Sequence, residues 1–373
     1  MVDKSCEEII TVCHANACTG CMACLEKCHH NAITIVDSVA SYNAFIDSSK
    51  CIKCNLCKNV CPANQINFLK PPVEWHQGWA DFNRQQSASG GIASEIMRYF
   101  IASGGYVASC LYENGSFCFK LTNDLSDISR FCGSKYVKSN PQGIYSDIKS
   151  HISRGLKVLF IGLPCQVAAV KKYLNSDQNL YTIDLICHGT PSPIVLFKFL
   201  EESKFKLSEI EDISFRKNMD FSLSINGQRI KRKRICDLYT HAFLDGLFYT
   251  DNCYECKFAQ LKRCSDITIG DSWGTDLSSE IKRGVSLILI QSEKGKELLS
   301  NCNIKVFPVD KEKALNNNEQ LIRPSSQNKK REKFLKLYHS NSHIKKNLKT
   351  LYPRIVAKNN IKTILLFLKI IRD

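Results

Sequence analysis

Cys18-Thr19-Gly20-Cys21-Met22-Ala23-Cys24-Leu25-Glu26-Lys27-Cys28 returns as Cys51-Ile52-Lys53-Cys54-Asn55-Leu56-Cys57-Lys58-Asn59-Val60-Cys61, each cysteine displaced by 33 residues. The likeness runs past the cysteines. Asn31-Ala32-Ile33-Thr34-Ile35 falls on Asn64-Gln65-Ile66-Asn67-Phe68 in the same register, so a whole structural unit is repeated. Thiolates separated by two residues converge on successive corners of one cubane, while the fourth cysteine, three residues further on, is carried to the neighbouring cluster. That logic predicts one 4Fe-4S cluster on Cys18, Cys21, Cys24 and Cys61, and a second on Cys51, Cys54, Cys57 and Cys28. Zinc favours separated pairs around one tetrahedral ion, a poor match to two triple-cysteine runs. Pro62 follows the second run as in bacterial ferredoxins; His29 stands there in the first. Cys6 and Cys13 lie outside the pattern and read as spare thiols.

Outward from this core, 373 residues with 44% hydrophobic side chains provide for two or three globular domains. Twenty cysteines would suit a secreted disulfide scaffold, but residues 1–10 carry Asp3, Glu7 and Glu8 and lack the apolar stretch of a signal peptide. A reducing, cytoplasmic setting with cysteine-bound metal is expected. No apolar run reaches the roughly 18 residues of a membrane span; the nearest, Ile361 to Ile371, is interrupted by Lys362 and Lys369. The formal charge of +15 falls to roughly +9 once three cubanes of about −2 each are included. It is also uneven: residues 321–373 hold 14 Lys and Arg against Glu332 and Asp373 alone. Such a tail suits an acidic redox partner or peripheral contact with anionic lipid, and a solvated helical face is the plain alternative. Nucleic acid is disfavoured, since no aromatic residues are interleaved with the basic ones as a binding motif requires.

Three segments follow. Residues 1–70 form an α+β, ferredoxin-like N-terminal domain, and Pro71-Pro72 stiffens the exit from it. Residues 71–320 alternate short β-rich runs with amphipathic stretches, the pattern of an α/β catalytic domain. Strands are predicted at Lys157 to Ile161, Tyr181 to Ile186, Ile267 to Ile269 and Val285 to Ile290, with helices over Gln166 to Leu174 and Pro191 to Glu202. Residues 321–373 read as a helical, basic C-terminal segment. A further set of cysteines, Cys253, Cys256 and Cys264 in one loop and Cys187 after a strand, can hold a third 4Fe-4S cluster; spacing alone also admits zinc or buried free thiols.

At these residues the chain resembles the coenzyme F-420 hydrogenase/dehydrogenase beta-subunit family. The resemblance rests on Ser87-Ala88-Ser89-Gly90-Gly91-Ile92-Ala93-Ser94, Gly133-Ser134-Lys135-Tyr136-Val137, Gly162-Leu163-Pro164-Cys165-Gln166-Val167-Ala168 and Asp184-Leu185-Ile186-Cys187-His188-Gly189-Thr190-Pro191-Ser192. It continues through Asp251-Asn252-Cys253-Tyr254-Glu255-Cys256, Asp266-Ile267-Thr268-Ile269-Gly270-Asp271-Ser272-Trp273-Gly274 and Lys282-Arg283-Gly284-Val285-Ser286. It implies FAD, an iron–sulfur cluster in the catalytic domain, and oxidation or reduction of a deazaflavin or another hydride-accepting compound.

No Gly-x-Gly-x-x-Gly follows a strand, so a dinucleotide site of that type is not indicated. Ser87, Ser89, Gly90 and Gly91 instead precede an amphipathic helix, Ile92 to Ile101, whose free amides suit a phosphate; an ordinary helix cap explains the serines by themselves. Gly133, Ser134, Lys135 and Tyr136 offer a cation, hydroxyls and an aromatic face, or else a surface turn. Cys165 and Gln166, opening the next helix, are expected near the flavin. His188 and Asp271 are the candidate proton-transferring residues, with a hydrogen-bonded structural His and a turn-capping Asp as the alternatives. Arg216 and the run Arg229 to Arg234 can steer an anionic substrate or form an exposed hairpin. The expected function is an iron–sulfur flavoprotein oxidoreductase linking a ferredoxin-like protein to a small-molecule substrate. The alternative is a non-catalytic electron-transfer subunit of a larger complex.

Overall fold

The computed structural model of the chain describes residues 10–175 and 177–371, so Cys6 and the acidic start of the chain lie outside the described residues. The two cysteine runs fold as a matched pair. Each enters a short helix, Ala23–Lys27 or Leu56–Val60, through a left-handed residue, Met22 (φ 61°) or Asn55 (φ 60°), and each leaves it at the fourth cysteine, Cys28 or Cys61. The copies then diverge. Ile33–Asp37 (β1) pairs antiparallel with Tyr42–Ile46 (β2), whereas the corresponding second stretch leads to a bridge between Lys70 and Arg263. The second copy is thereby handed on to the larger unit.

That unit is built on an eight-stranded mixed sheet. Its strands are Glu74–Trp79 (β3), Tyr106–Glu113 (β4), Ser116–Thr122 (β5), Val158–Gly162 (β6) and Leu180–Leu185 (β7). A small three-stranded sheet of Ile213–Lys217 (β8), Asp220–Ile225 (β9) and Gln228–Arg229 (β10) intervenes before Ile267–Asp271 (β11), Ser286–Ile290 (β12) and Lys305–Pro308 (β13) complete the large one. The spatial order is β13-β3-β12-β11-β7-β6-β4-β5. The middle four strands, β11, β7, β6 and β4, run parallel, and the flanking pairs are antiparallel.

The sequence explains the centre of this sheet. β6 and β12 are buried along their whole length, as expected for uninterrupted apolar runs covered on both faces. Alternation along β6 sends Leu159 and Ile161 into a core with Ile92, Ile96, Phe100, Ile183 and Ile288, while Val158 and Phe160 join Tyr145, Ile148, Val167 and Val170 on the other side. Pro164 opens the helix Pro164–Leu174 at a position that needs no amide, and the Gln166 side chain accepts from Leu163 N at 2.9 Å. Ser192 caps Pro193–Glu201 by accepting from Ile194 N at 3.1 Å.

The second core is continuous with Cys18, Cys21, Cys24, Cys57 and Cys61, so the cysteine unit packs directly on one face of the sheet. Polar contacts fix its orientation. The Glu26 carboxylate accepts from Gly143 N at 2.7 Å and Ser146 N at 3.0 Å, satisfying free amides at the start of helix Ile144–Ser153. Tyr145 donates to the Cys21 carbonyl at 2.6 Å, and Lys172 to that of Cys61 at 3.2 Å.

The C-terminal residues are helical as expected, over Arg331–Asn341, Ile344–Leu351 and Pro353–Phe367. They are not a detached arm: Phe334, Ile344, Leu348 and Tyr352 share a core with Val195, Phe199, Phe215, Tyr239 and Phe248. Arg331, 1% exposed, pairs with Asp251 at 2.6 Å and donates to the Ala40 carbonyl at 3.1 Å, tying this segment to both other parts of the chain. Among the described residues no helix is long and apolar enough to cross a membrane.

Candidate functional site

The thiols of the two runs act on one another across the repeat. The Cys24 thiol is pushed up by burial and by the neighbouring Cys21, Cys18, Cys61 and Cys57; that of Cys57 is raised by burial and by Cys28, Cys51 and Cys54. Cys61 therefore lies with the first run and Cys28 with the second. Backbone amides point at the sulfurs in equivalent places, from Gly20 to Cys18 and from Lys53 to Cys51, each at 3.4 Å. The two sets differ in exposure. Cys18, Cys21, Cys24 and Cys61 are all buried, whereas Cys54 is exposed and Cys28 and Cys51 are half-buried. Cys13 is no remote spare: it is buried beside Cys18 and Cys61, and hydrogen bonding to those two sulfurs raises its thiol. Its position before the repeat hides this from the sequence.

A cavity of about 460 Å³ lies between the cysteine unit and the sheet, and Cys165, Cys187, Cys253 and Cys256 line it. This corrects the sequence reading twice. Cys165, expected at the flavin, lines the cavity with the other cysteines; Cys264, expected among them, does not line it and is buried with Ala168 and Phe258 in a cluster that Cys165 and Cys256 also pack against. Burial and the Asp184 carboxylate push the Cys264 thiol up to about 12. The cause is topological. Cys165 follows β6 and Cys187 follows β7, and the carboxyl ends of adjacent parallel strands open on the same side of the sheet.

The four thiols of this cavity suit a cationic cluster. Burial, with the charges of Cys253 and Cys256, pushes the Cys187 thiol up to about 12, and a bound iron core relieves that repulsion while holding the ligands deprotonated. Cys253 Sγ has Thr190 N and the Thr250 hydroxyl at 3.5 Å each. Gly189 (φ 136°) lets the wall pass close to Tyr249, whose ring would lie 2.5 Å from an added Cβ. Among the described residues no three His, Cys, Asp or Glu side chains form a group suited to a single metal ion. Lys138, 5% exposed, lines the cavity and donates to the Thr19 carbonyl at 3.0 Å. Its positive charge acts on Cys18 on one side and on Cys165 and Cys187 on the other.

A second cavity, of about 410 Å³, shares the wall Cys187-His188-Gly189-Thr190 with the first. Ser87, Ser89, Gly91, Gly133, Ser134, Lys135, Tyr136, Gln166, His188 and Asp271 all line it, so the structure brings together motifs spread over nearly 200 positions. Gly90, expected with them, lies just behind: its amide donates to Ser286 Oγ at 3.0 Å, and a Cβ there would come within 2.5 Å of the Gly78 carbonyl.

The individual roles differ from the expected ones. Ser87 and Ser89 hydroxyls donate to the carbonyls of Asn83 (2.9 Å) and Val285 (3.0 Å), and so shape the loop. Lys135 Nζ donates to the Phe131 and Cys132 carbonyls at 2.8 Å, occupying the end of a short helix instead of presenting a free cation. The helix Ile92–Ala102 is entered through Gly91 (φ 79°) without a side-chain cap, and its first residues border the cavity, which leaves amides to receive an anionic group. Tyr136 stacks on Phe243 with centroids 4.2 Å apart. Asp271 is held in a two-bond ion pair with Arg216 (2.6 and 2.8 Å), so it is no free carboxylate. His188 is exposed at the rim of the cavity, and desolvation by the surrounding protein pushes its imidazole below the ordinary value. The run 229–234 lines neither cavity and packs instead beside helix Pro353–Phe367, where Lys362 donates to the Arg234 carbonyl at 2.7 Å.

Two family models match the chain. Residues 17–67 match the 4Fe-4S dicluster domain, and residues 155–311 match the C terminus of the coenzyme F420 hydrogenase/dehydrogenase beta subunit. A solved structure of the F420-reducing [NiFe] hydrogenase complex from Methanosarcina barkeri is similar at 20% identity and a TM-score of 0.47, over 77% of this chain and 94% of that one. The chain thus joins a 4Fe-4S dicluster domain to the C-terminal domain of the coenzyme F420 hydrogenase/dehydrogenase beta-subunit family, and its chemistry is iron–sulfur redox electron transfer.

Proposed function

We propose that this chain is an iron–sulfur flavoprotein oxidoreductase, passing electrons between a ferredoxin-like protein and a hydride-exchanging small molecule of the deazaflavin class. The observation that carries this reading is the shared wall Cys187-His188-Gly189-Thr190, which separates a four-cysteine cavity from an aromatic-lined cavity by the thickness of one loop. The exposed stretch Ile52 to Leu56 around Cys54 is where a redox partner would dock, the buried set Cys18, Cys21, Cys24 and Cys61 comes next, and Cys165, Cys187, Cys253 and Cys256 would hold a third cluster beyond it. The second cavity, of about 410 Å³ and in the range of small-molecule sites, is the place we assign to the ring end of FAD. When bound, the flavin supplies the coupling between one-electron clusters and two-electron hydride chemistry. The amides of Ile92 to Ser94 would hold its phosphates, Tyr136 and Trp273 would exclude water, and the His188 imidazole would accept and return the accompanying proton.

Anaerobic reconstitution tests the assignment. About twelve irons with matching sulfide and one flavin per chain are expected, and about eight irons without flavin would overturn it. Reoxidation of the reduced flavin by a deazaflavin tests the substrate class separately, and a flavin that stays reduced discards it. Lys138, the buried cation between the first and third sets, holds both potentials up. Lys138→Met is expected to lower the midpoints of these two clusters by on the order of 50–100 mV, for a unit charge at an effective dielectric constant of about 20. Lys138→Arg should retain them. Redox titration followed by electron paramagnetic resonance measures both.

A further inference from the structure

We infer that the outer face of helix Pro353–Phe367, with the basic run Lys231 to Arg234 beside it, is a docking surface for an anionic lipid bilayer. This is independent of the flavin assignment. Ile361, Ile364, Phe367 and Leu368 are 59, 58, 81 and 57% exposed, and at helical spacing they form one continuous apolar row. The inner side of the same helix is anchored. Leu366 is buried, and the Asn359 amide both accepts from Cys236 N (3.2 Å) and donates to the Cys236 carbonyl (2.8 Å), so the row is presented by a fixed element.

The surroundings of the row are predominantly basic. Arg354, Lys358, Lys362 and Lys369 accompany it, and residues 353–371 contain no Asp or Glu. Lys231, Arg232, Lys233 and Arg234 extend the field through the contact between Lys362 and Arg234. Lys345, whose ammonium is lowered by burial and by the charges of Lys231 and Lys349 against the opposing charge of Glu202, lies at the edge of the same patch, where Glu202 is its acidic neighbour.

These features choose the occupant. A second copy of the chain would set this basic face against itself, a like-charge juxtaposition that opposes association. A bilayer accepts an apolar row lying in its interface while lysine stems extend their ammonium groups to the headgroups, which is how amphipathic basic helices lie on membranes. The row lines neither cavity described above, so a bound small molecule is not what it is shaped for.

Co-flotation of the full chain with vesicles decides the matter. Binding is expected to phosphatidylcholine vesicles containing about 30% phosphatidylglycerol, with little to phosphatidylcholine alone and with a marked loss at high salt. Phe367→Glu with Ile364→Glu should abolish it, and Lys358→Gln should weaken it about fivefold. Iron content identical to the parent chain verifies that these variants are folded. Failure to bind anionic vesicles, or binding indifferent to headgroup charge, overturns the inference. So does sedimentation as an oligomer that Phe367→Glu dissociates, which would make the row an interface between copies.

Discussion

Cys165→Ser is expected to remove about four irons from each chain, leaving about eight, whereas Cys264→Ser leaves all about twelve in place. The two substitutions are chemically identical and lie on either side of one question. Cys165 shares the cavity wall with Cys187, Cys253 and Cys256; Cys264 packs near Cys165 and Cys256 but does not line the cavity, being buried with Ala168 and Phe258 beside the Asp184 carboxylate. With the third cluster gone, electrons delivered to the two N-terminal clusters should no longer reduce the flavin, although dithionite added directly still does. Iron analysis and stopped-flow reduction of the two variants read these outcomes. Retention of all the iron in Cys165→Ser, with loss in Cys264→Ser, would return the ligand set to the one that loop spacing suggests.

Asp271→Ala is expected to destabilise the unit built on the large sheet by about 3 kcal/mol, lowering its thermal midpoint by about 6 °C. The magnitude follows from what is left behind. Arg216 is 4% exposed, pairs with both Asp271 oxygens, and packs against Phe221 at 4.3 Å and Trp273 at 5.5 Å from the ring centroids. Removing only the carboxylate strands a buried guanidinium, which costs more than the pair itself contributes. Replacing both partners, as Arg216→Leu with Asp271→Leu, should recover much of the loss. Because both residues line the second cavity, flavin retention should fall with stability. Asp271→Asn separates this positioning role from proton transfer. If that variant keeps its flavin and stability but loses turnover, Asp271 moves a proton and the ion pair is incidental.

The legible and illegible parts of this protein divide along physical lines. β6, β7, β11 and β12, and the helices that follow β6 and β7, agree with their sequence expectations to within a few residues, because uninterrupted apolar runs and Pro or Ser at helix starts are local signals. The role of Lys135 was not legible. A lysine in a glycine-serine motif suggests a free cation, and the carbonyls that take its hydrogen bonds become apparent only in the folded turn. Asp271 was visible as a carboxylate after a strand, but its partner Arg216 is 55 positions away on another sheet. Cys13 was passed over because its position precedes the repeat, though it lies against two members of it.

The sequence by itself determined that this chain moves electrons. A repeat of 33 residues carrying Cys-x-x-Cys-x-x-Cys-x-x-x-Cys twice is a local, periodic signal, and its crossed fourth cysteines follow from how far three residues reach. Only the tertiary structure decided which further cysteines face one another. Spacing along the chain drew Cys264 to Cys256, but parallel β6 and β7 bring Cys165 to Cys187, since strand order in a sheet is a non-local property that no window of sequence contains. The same sheet order sets a four-cysteine cavity and an aromatic-lined cavity on two sides of one loop, and that adjacency is what the proposed longer electron path rests on.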